Sequence, residues 1–393
     1  MLKALWRKRR GTLVMLAILA AAMAWGWLAV RAVPDTFQHV WPAPAPVSAA
    51  EGEKPQNSWL RQTRYAAEGL STPLDGACEG GALYAVAQPA AVGVEDGKSV
   101  SARLVGVEKS YFQLHEPVLL NGRQLYPDEC TYGERVAMVD EQLAVALFQY
   151  AEPLGEKLVL DGQAYRIVGV IKAGKQVGDG VDYALYVPLR ALEKSGVTLT
   201  AMVYEARPVK GAGGWPVFQA EAAKLGEGTT VSLVKEKMNA AMPLRLLVCL
   251  CLGAAALYGV KGMNWAFGRF AARWRERIQE QYATRLLGWA LWRCLLLLVG
   301  YAACAAALAG VFVKLVEPVY TFPEWVPAVL VEPKDIQTAF WNVWQAPATV
   351  AEYRMPQLIR LRFLRELLGW CAGLAGLLLG SLWGRLTAML ERR

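Results

Sequence analysis

Thr12–Val30 reads TLVMLAILAAAMAWGWLAV, an apolar run without a single charged residue. A helix rises about 1.5 Å per residue, so roughly 20 apolar residues cross a hydrocarbon core, and this run comes near that length. A long polar interval follows, and then three further apolar runs lie close together near Leu244, Leu287 and Leu367. The spacing predicts an α-helical membrane protein with four transmembrane helices and a large mixed α+β extracytoplasmic domain between the first and second.

The expected boundaries follow from the runs: 1–11 as a cytoplasmic N-terminus, 12–30 as the first span, and 31–243 as the extracytoplasmic domain. Then come 244–260 as the second span, 261–286 as a cytoplasmic loop, and 287–316 as the third span. An extracytoplasmic loop over 317–366, a fourth span over 367–388 and a short cytoplasmic tail complete the chain. A cleaved signal peptide is the alternative reading of the first run. Thr12–Val30 is longer than the usual signal core, and the small residues near Ala32 make a poor cleavage site, so an uncleaved anchor is favoured.

Composition agrees: 55% of the 393 residues are hydrophobic, and the 15 Trp suit bilayer interfaces, where an apolar ring with one N–H donor is at home. The net charge of +8 does not point to nucleic acid, because its sources sit in short loops. Lys3, Arg7, Lys8, Arg9 and Arg10 precede the first span. Lys261, Arg269, Arg273, Arg275, Arg277 and Arg285 stand between the second and third. Excess Lys and Arg marks the cytoplasmic side, which places both termini inside and the large domain outside. Arg354, Arg360, Arg362 and Arg365 resist this, standing ahead of the last span among Leu358, Ile359, Leu361, Phe363 and Leu364. They suit a helix in the outer interface with its arginines reaching toward lipid phosphates; the competing reading reverses the last span.

Of the seven cysteines, Cys249, Cys251, Cys294, Cys304 and Cys371 fall in the spans, where a thiol behaves as a small hydrophobe. Cys78 and Cys130 share the external domain, where a disulfide is permitted but the distance is open. There is no CxxC, and with only His39 and His115 a zinc site is not expected.

Within the external domain, 83–92 and 100–107 flank Glu95-Asp96-Gly97-Lys98, and 158–160 and 164–171 flank Asp161-Gly162, so two hairpins are expected. Between them Leu143, Ala144, Leu147 and Phe148 repeat at helical spacing over 140–150. Strands are expected over 198–204 and 229–234, with a helix over 217–225. A helix from Lys235 should run straight into the second span and couple domain to membrane.

An ordered series of residues then carries a resemblance. Val100-Ser-Ala-Arg-Leu-Val-Gly-Val107, Tyr111-Phe112, Leu120-Asn-Gly-Arg123, Val136-Ala-Met-Val-Asp-Glu141 and Leu147-Phe148 begin it. Pro153-Leu-Gly-Glu-Lys157, Gly162 and Val168-Gly-Val-Ile171 complete it. Together they resemble the periplasmic core domain of MacB/FtsX-type ABC transporter permeases, over roughly 83–192. Read on their own, these residues are turn glycines and buried strand positions more than ligand contacts.

Such permeases also have one span, an external domain and three spans, and their first cytoplasmic loop carries R-E-I-G-x-x-R-A-L-G against the ATPase. The matching stretch is Gln279-Glu280-Gln281-Tyr282-Ala283-Thr284-Arg285-Leu286-Leu287-Gly288, which keeps Glu280, Arg285, Leu287 and Gly288 but has Tyr282 in place of Gly. The Asp-Pro-containing tail common in the family is not matched at Glu391-Arg392-Arg393. The resemblance implies a separate ABC ATPase subunit that binds the ATP, so no cofactor is expected on this chain. It implies docking through Glu280, Arg285 and Gly288, to which the basic face of the preceding helix adds Arg273 and Arg277.

The same loop has a reading from spacing alone. Phe270, Trp274, Ile278 and Tyr282 recur every fourth residue while Arg269, Arg273, Arg277 and Glu280 take other faces, an amphipathic helix at the inner membrane surface. Attraction to anionic lipid would account for the charge; docking of a partner is the favoured reading.

No catalytic or metal-binding residues are expected. There is no G-x-x-x-x-G-K-[ST] and no G-x-S-x-G; Lys210-Gly-Ala-Gly-Gly214 lacks the Lys-Ser/Thr ending of a phosphate loop. Asp128-Glu129 and Asp140-Glu141 suit helix starts better than an acid/base couple. Ala302, Ala303, Ala305, Ala306, Ala307 and Gly310, with Gly369, Gly373, Gly376 and Gly380, permit close helix packing and a homodimer or a pairing with a related permease. The reading is a multi-pass subunit of the bacterial cytoplasmic membrane, exporting a peptide, lipid or drug-like substrate. The alternative is a non-transporting regulator of an external partner such as a cell-wall hydrolase.

Overall fold

The computed structural model describes residues 10–44, 55–70, 73–94, 97–150, 152–172, 183–209, 214–226, 228–280, 283–316, 349–350 and 353–391. They fall into two units. One is Val33–Glu236 with the described part of Gln345–Arg362; the other holds the long apolar helices.

In the first unit β1 (Phe37–Pro42), β2 (Cys78–Ala87), β3 (Ala90–Gly93), β4 (Ser99–Val107), β5 (Leu119–Gly122) and β6 (Val136–Asp140) join one mixed sheet. It continues with β7 (Lys157–Leu160), β8 (Gln163–Ile171), β9 (Ala184–Pro188), β10 (Leu199–Pro208) and β11 (Thr229–Ser232). The order is β11-β1-β10-β2-β4-β3-β7-β8-β6-β9, with β5 on β8 and a further β4–β9 pairing. Only β4–β9 and β6–β8 run parallel among these pairs.

Side chains alternate across a strand, so a strand buried on both faces feeds two cores. On β10, Met202, Tyr204 and Ala206 enter one core while Ala201 and Val203 enter the other. The first core is closed by α2 (Pro55–Glu68), α5 (Glu141–Phe148), α6 (Leu189–Leu192) and α7 (Gly214–Ala223), which contribute Leu60, Leu143, Leu189 and Phe218. The second is closed by α3 (Tyr111–His115) and α4 (Pro127–Tyr132), through Phe112 and Cys130, and by a segment that returns from far along the chain.

The expected hairpins are present. β7 and β8 pair antiparallel around Asp161 and Gly162, both with positive φ, as an Asp-Gly turn requires. The first hairpin is β3 with β4; Pro89 lacks the N–H a continuous strand would need, and 83–92 accordingly splits into β2 and β3, both of which pair with β4. Glu95 and Asp96 of its turn lie outside the described residues, as do 210–213 of the glycine-rich stretch.

The returning segment changes the domain boundary expected at 31–243. β12 (Thr349–Val350) pairs with β13 (Tyr353–Arg354), and Tyr353, Met355 and Leu358 are buried in the second core. Leu358, expected in the outer lipid interface, is 3% exposed against the sheet instead. The apolar face of that segment therefore serves protein packing, and its helix, α10 (Pro356–Glu391), continues without a break into the last apolar run.

Cys78 and Cys130 are both free thiols. Cys78 opens β2 beside Pro208 and packs on the first core, whereas Cys130 lies in the second core on the opposite face of the sheet, so the pairing left open by the sequence is not formed here.

The second unit holds α1 (Arg10–Arg31), α8 (Leu233–Glu280), α9 (Ala283–Val316) and most of α10. Among the described residues four helices, one in each of these, are long and apolar enough to cross a membrane. The Tyr301 hydroxyl of α9 donates to Asn264 of α8 at 2.5 Å, Gly300 faces Met263, and Gly259 faces Cys304. These pairs descend along one helix as they climb the other, so α8 and α9 form an antiparallel hairpin. α10 packs on α8 with Gly369 facing Pro243, Gly376 facing Leu247, and Tyr258 edge-on to Trp383 at 3.9 Å between ring centroids. Those pairs rise together, so α8 and α10 run parallel.

Candidate functional site

Two places concentrate charge: the far end of the α8–α9 hairpin and the interior of the sheet. α8 takes its start from β11, where Ser232 Oγ accepts the Lys235 N–H, and it stays helical to Glu280. Arg273 and Arg277 are exposed near its end. Phe267, Phe270 and Trp274 form a ladder with centroids 6.4 Å apart at each step, and the Arg269 guanidinium stands 4.5 Å from the exposed Trp265 ring. The expected four-residue repeat is thus seen as far as Trp274; Tyr282 and the side chain of Ile278 lie outside the described residues. Glu280 ends α8, while Arg285 and Gly288 lie in the first turns of α9. The fold brings the five residues expected to dock a partner to one end of the hairpin; the side chains of Glu280 and Arg285 are not described, and Gly288 meets open space.

The acidic pairs are helix starts, as their position implies. Asp140 caps α5, its carboxylate accepting the Leu143 N–H at 2.6 Å and the Ala184 N–H of β9 at 2.8 Å. Glu129 accepts the Tyr126 N–H at 2.8 Å and takes a two-pronged contact from Arg123, whose Nη1 is 2.8 Å away. Glycines of the resemblance series have framework reasons too: a Cβ at Gly122, where φ is +77°, or at Gly169 would strike the carbonyl of Val168 or of Arg123.

Sequence reading passed over the buried polar cluster of the second core. Glu205 on β10 is 1% exposed, and its Oε2 accepts the Tyr84 hydroxyl of β2 at 3.3 Å and lies 3.4 Å from His115 Nε2 of α3. Burial pushes the Glu205 carboxyl up, but His115, Thr36 and Gln38 together favour the ionised form, and the net position is below the usual carboxylate range. Tyr84 is hydrogen-bonded to Tyr353, and burial first, then Tyr353 and Glu205, push its hydroxyl well above the ordinary value. Gln38 donates to Gln357 of α10 at 3.0 Å. The one signal in the sequence is a carboxylate inside an otherwise apolar strand, Leu199-Thr-Ala-Met-Val-Tyr-Glu-Ala206; its partners lie too far along the chain to be found by spacing.

Among the described residues there is no group of three or more His, Cys, Asp or Glu suited to a metal. The chain runs directly from β11 of the sheet into α8. The family model described as the MacB-like periplasmic core domain matches residues 14–240. Over 90 residues the chain is 31% identical to the macrolide export ATP-binding/permease protein MacB of Aggregatibacter actinomycetemcomitans, covering 22% of this chain and 14% of the relative. Over 121 residues it is 26% identical to the uncharacterized ABC transporter permease YknZ of Bacillus subtilis, covering 30% of each. The matches thus span less than a third of either relative's length. The solved periplasmic region of MacB from Actinobacillus actinomycetemcomitans is 18% identical with a TM-score of 0.38, covering 51% of this chain and 90% of that one. The chain belongs to the family of the MacB-like periplasmic core domain, and with it to the MacB/FtsX-type ABC transporter permeases.

Proposed function

We propose that this chain is the permease subunit of a MacB/FtsX-type ABC system in the bacterial cytoplasmic membrane, working as a dimer with a separate ATPase that binds the ATP. ATP hydrolysis would move its extracytoplasmic unit, to export or extrude a peptide, lipid or drug-like substrate. The observation that carries this reading is α8, one helix from the edge strand β11 to the basic end at Glu280. A push at one end of such a rod is felt at the other.

Its length also favours a protein partner over lipid at the basic end. The apolar run ends near Val260, and a helix rising 1.5 Å per residue carries Arg277 about 25 Å further along its axis. A side chain spans only a fraction of that distance, so lipid headgroups suit Lys261 and Arg269 better than Arg273 and Arg277. Their charge, beside Glu280, Arg285 and Gly288 across the turn, is where a cytoplasmic ATPase would dock.

The test is affinity purification of the detergent-solubilised chain, comparing wild type with a Glu280→Arg, Arg285→Glu variant. Co-purification of an ABC ATPase with wild type and its loss from the folded variant is the expected result. Absence of any ATPase from folded wild-type protein overturns the reading and leaves an anchored external domain.

A further inference from the structure

Glu205 is an acidic side chain fully surrounded by protein, on the face of the sheet where the returning segment packs. A buried carboxylate is costly unless ions and hydrogen bonds compensate it, and removing one partner leaves the charge unpaired. Here the compensation comes from separate parts of the chain. Tyr84 of β2 donates to Glu205 Oε2, His115 of α3 lies 3.4 Å from the same oxygen, and Gln38 stands directly opposite Glu205 on β1. Tyr84 and Gln38 in turn engage Tyr353, just ahead of α10, and Gln357, in its first turn. The other titratable groups around it are Tyr111, whose ring is 4.3 Å from His115 and 5.9 Å from Tyr186 of β9, and Arg103 of β4.

Apolar contact alone would let this segment slide, because burial is non-directional. Met355 and Leu358 supply such contact. The Glu205 network adds fixed donors and acceptors, and so adds a register.

We propose that the Glu205 cluster is a latch that fastens the head of α10 to the sheet. The extracytoplasmic unit then grips two parallel membrane helices, α8 by chain continuity from β11 and α10 through Tyr353 and Gln357. Glu205 is a positioning residue in this arrangement. The use of the latch, to pass one movement to both helices, rests on the permease reading; the latch itself does not.

The experiment is hydrogen–deuterium exchange on the full chain in lipid nanodiscs, which needs no ATPase and so can fail or succeed independently of the capture experiment. Losing a charged buried hydrogen bond should raise exchange in 353–358 by about tenfold in Glu205→Gln, while α5 and β9 keep their protection. Asp140→Asn, at the far end of the sheet, should do the reverse. In a Glu205→Gln background, Gln38→Cys with Gln357→Cys should restore protection of 353–358 when oxidised and lose it on reduction. Unchanged exchange in 353–358, or an equal rise throughout the unit that the cross-link does not reverse, would overturn the latch.

Discussion

Leu104 on β4 and Leu250 on α8 are the same side chain in two solvents. Leu104 is fully buried by its own chain, while Leu250 is 71% exposed in the isolated protein. Glycines divide the same way. A Cβ at Gly122 or Gly169 meets backbone, whereas at Gly310, Gly373 or Gly380 it meets nothing within 4 Å. The sheet unit satisfies its apolar surface internally, and the helices leave much of theirs exposed. The small residues expected to line helix contacts therefore divide too: Gly369 and Gly376 face α8, and Gly373 and Gly380 do not.

The contrast is sharpest where chemistry is held constant. Leu104→Ala should lower stability by about 2–5 kcal/mol, and Leu250→Ala should change it by less than about 0.5 kcal/mol, in urea titrations of the solubilised chain. Equal losses would break the distinction.

Next in size is the glycine pair. Gly122→Ala must adopt a left-handed backbone against the Val168 carbonyl and should cost about 1–3 kcal/mol. Gly373→Ala should lose nothing and gain up to about 1 kcal/mol of helix propensity, read as a thermal midpoint.

Acid probes the buried side of the same contrast. His39 on β1 is 1% exposed, its Nδ1 2.9 Å from the Thr230 hydroxyl, and burial lowers its pKa from 6.5 to about 4. The unfolded chain takes up this proton first as pH falls, so stability present above about 6.5 is lost between there and about 4. His39→Gln should flatten the urea midpoint across that window while leaving the loss at lower pH, where the depressed Glu205 carboxyl protonates. An unchanged slope in the variant would assign the acid response elsewhere.

The smallest expected effect is at the basic end. Arg273 is exposed, and Arg273→Ala should alter stability by less than about 0.5 kcal/mol while weakening capture of the ATPase. A large stability loss there would mean the arginine serves the fold.

Much of this was legible in advance because it is local. Apolar runs gave the four long helices, Asp161-Gly162 gave a hairpin, and Asp140 gave a helix start. β1, β5, β6 and β9 were passed over, since strands of four to six residues carry little periodicity of their own. The basic end of the α8–α9 hairpin could be read from a charge run and a helical repeat. The latch could not, because Gln38 and Gln357 stand 319 residues apart and only the sheet brings them together.

Hydropathy and charge alone therefore determined that the chain crosses a membrane and which loops are basic, because both depend on contiguous residues meeting a solvent. Only the tertiary structure decided that Leu358 belongs to the sheet, that α8 and α10 run parallel in contact, and that Glu205 keeps its charge in the interior. Those outcomes depend on which distant side chains share a space, and a carboxylate in a strand acquires its meaning from what the fold places against it.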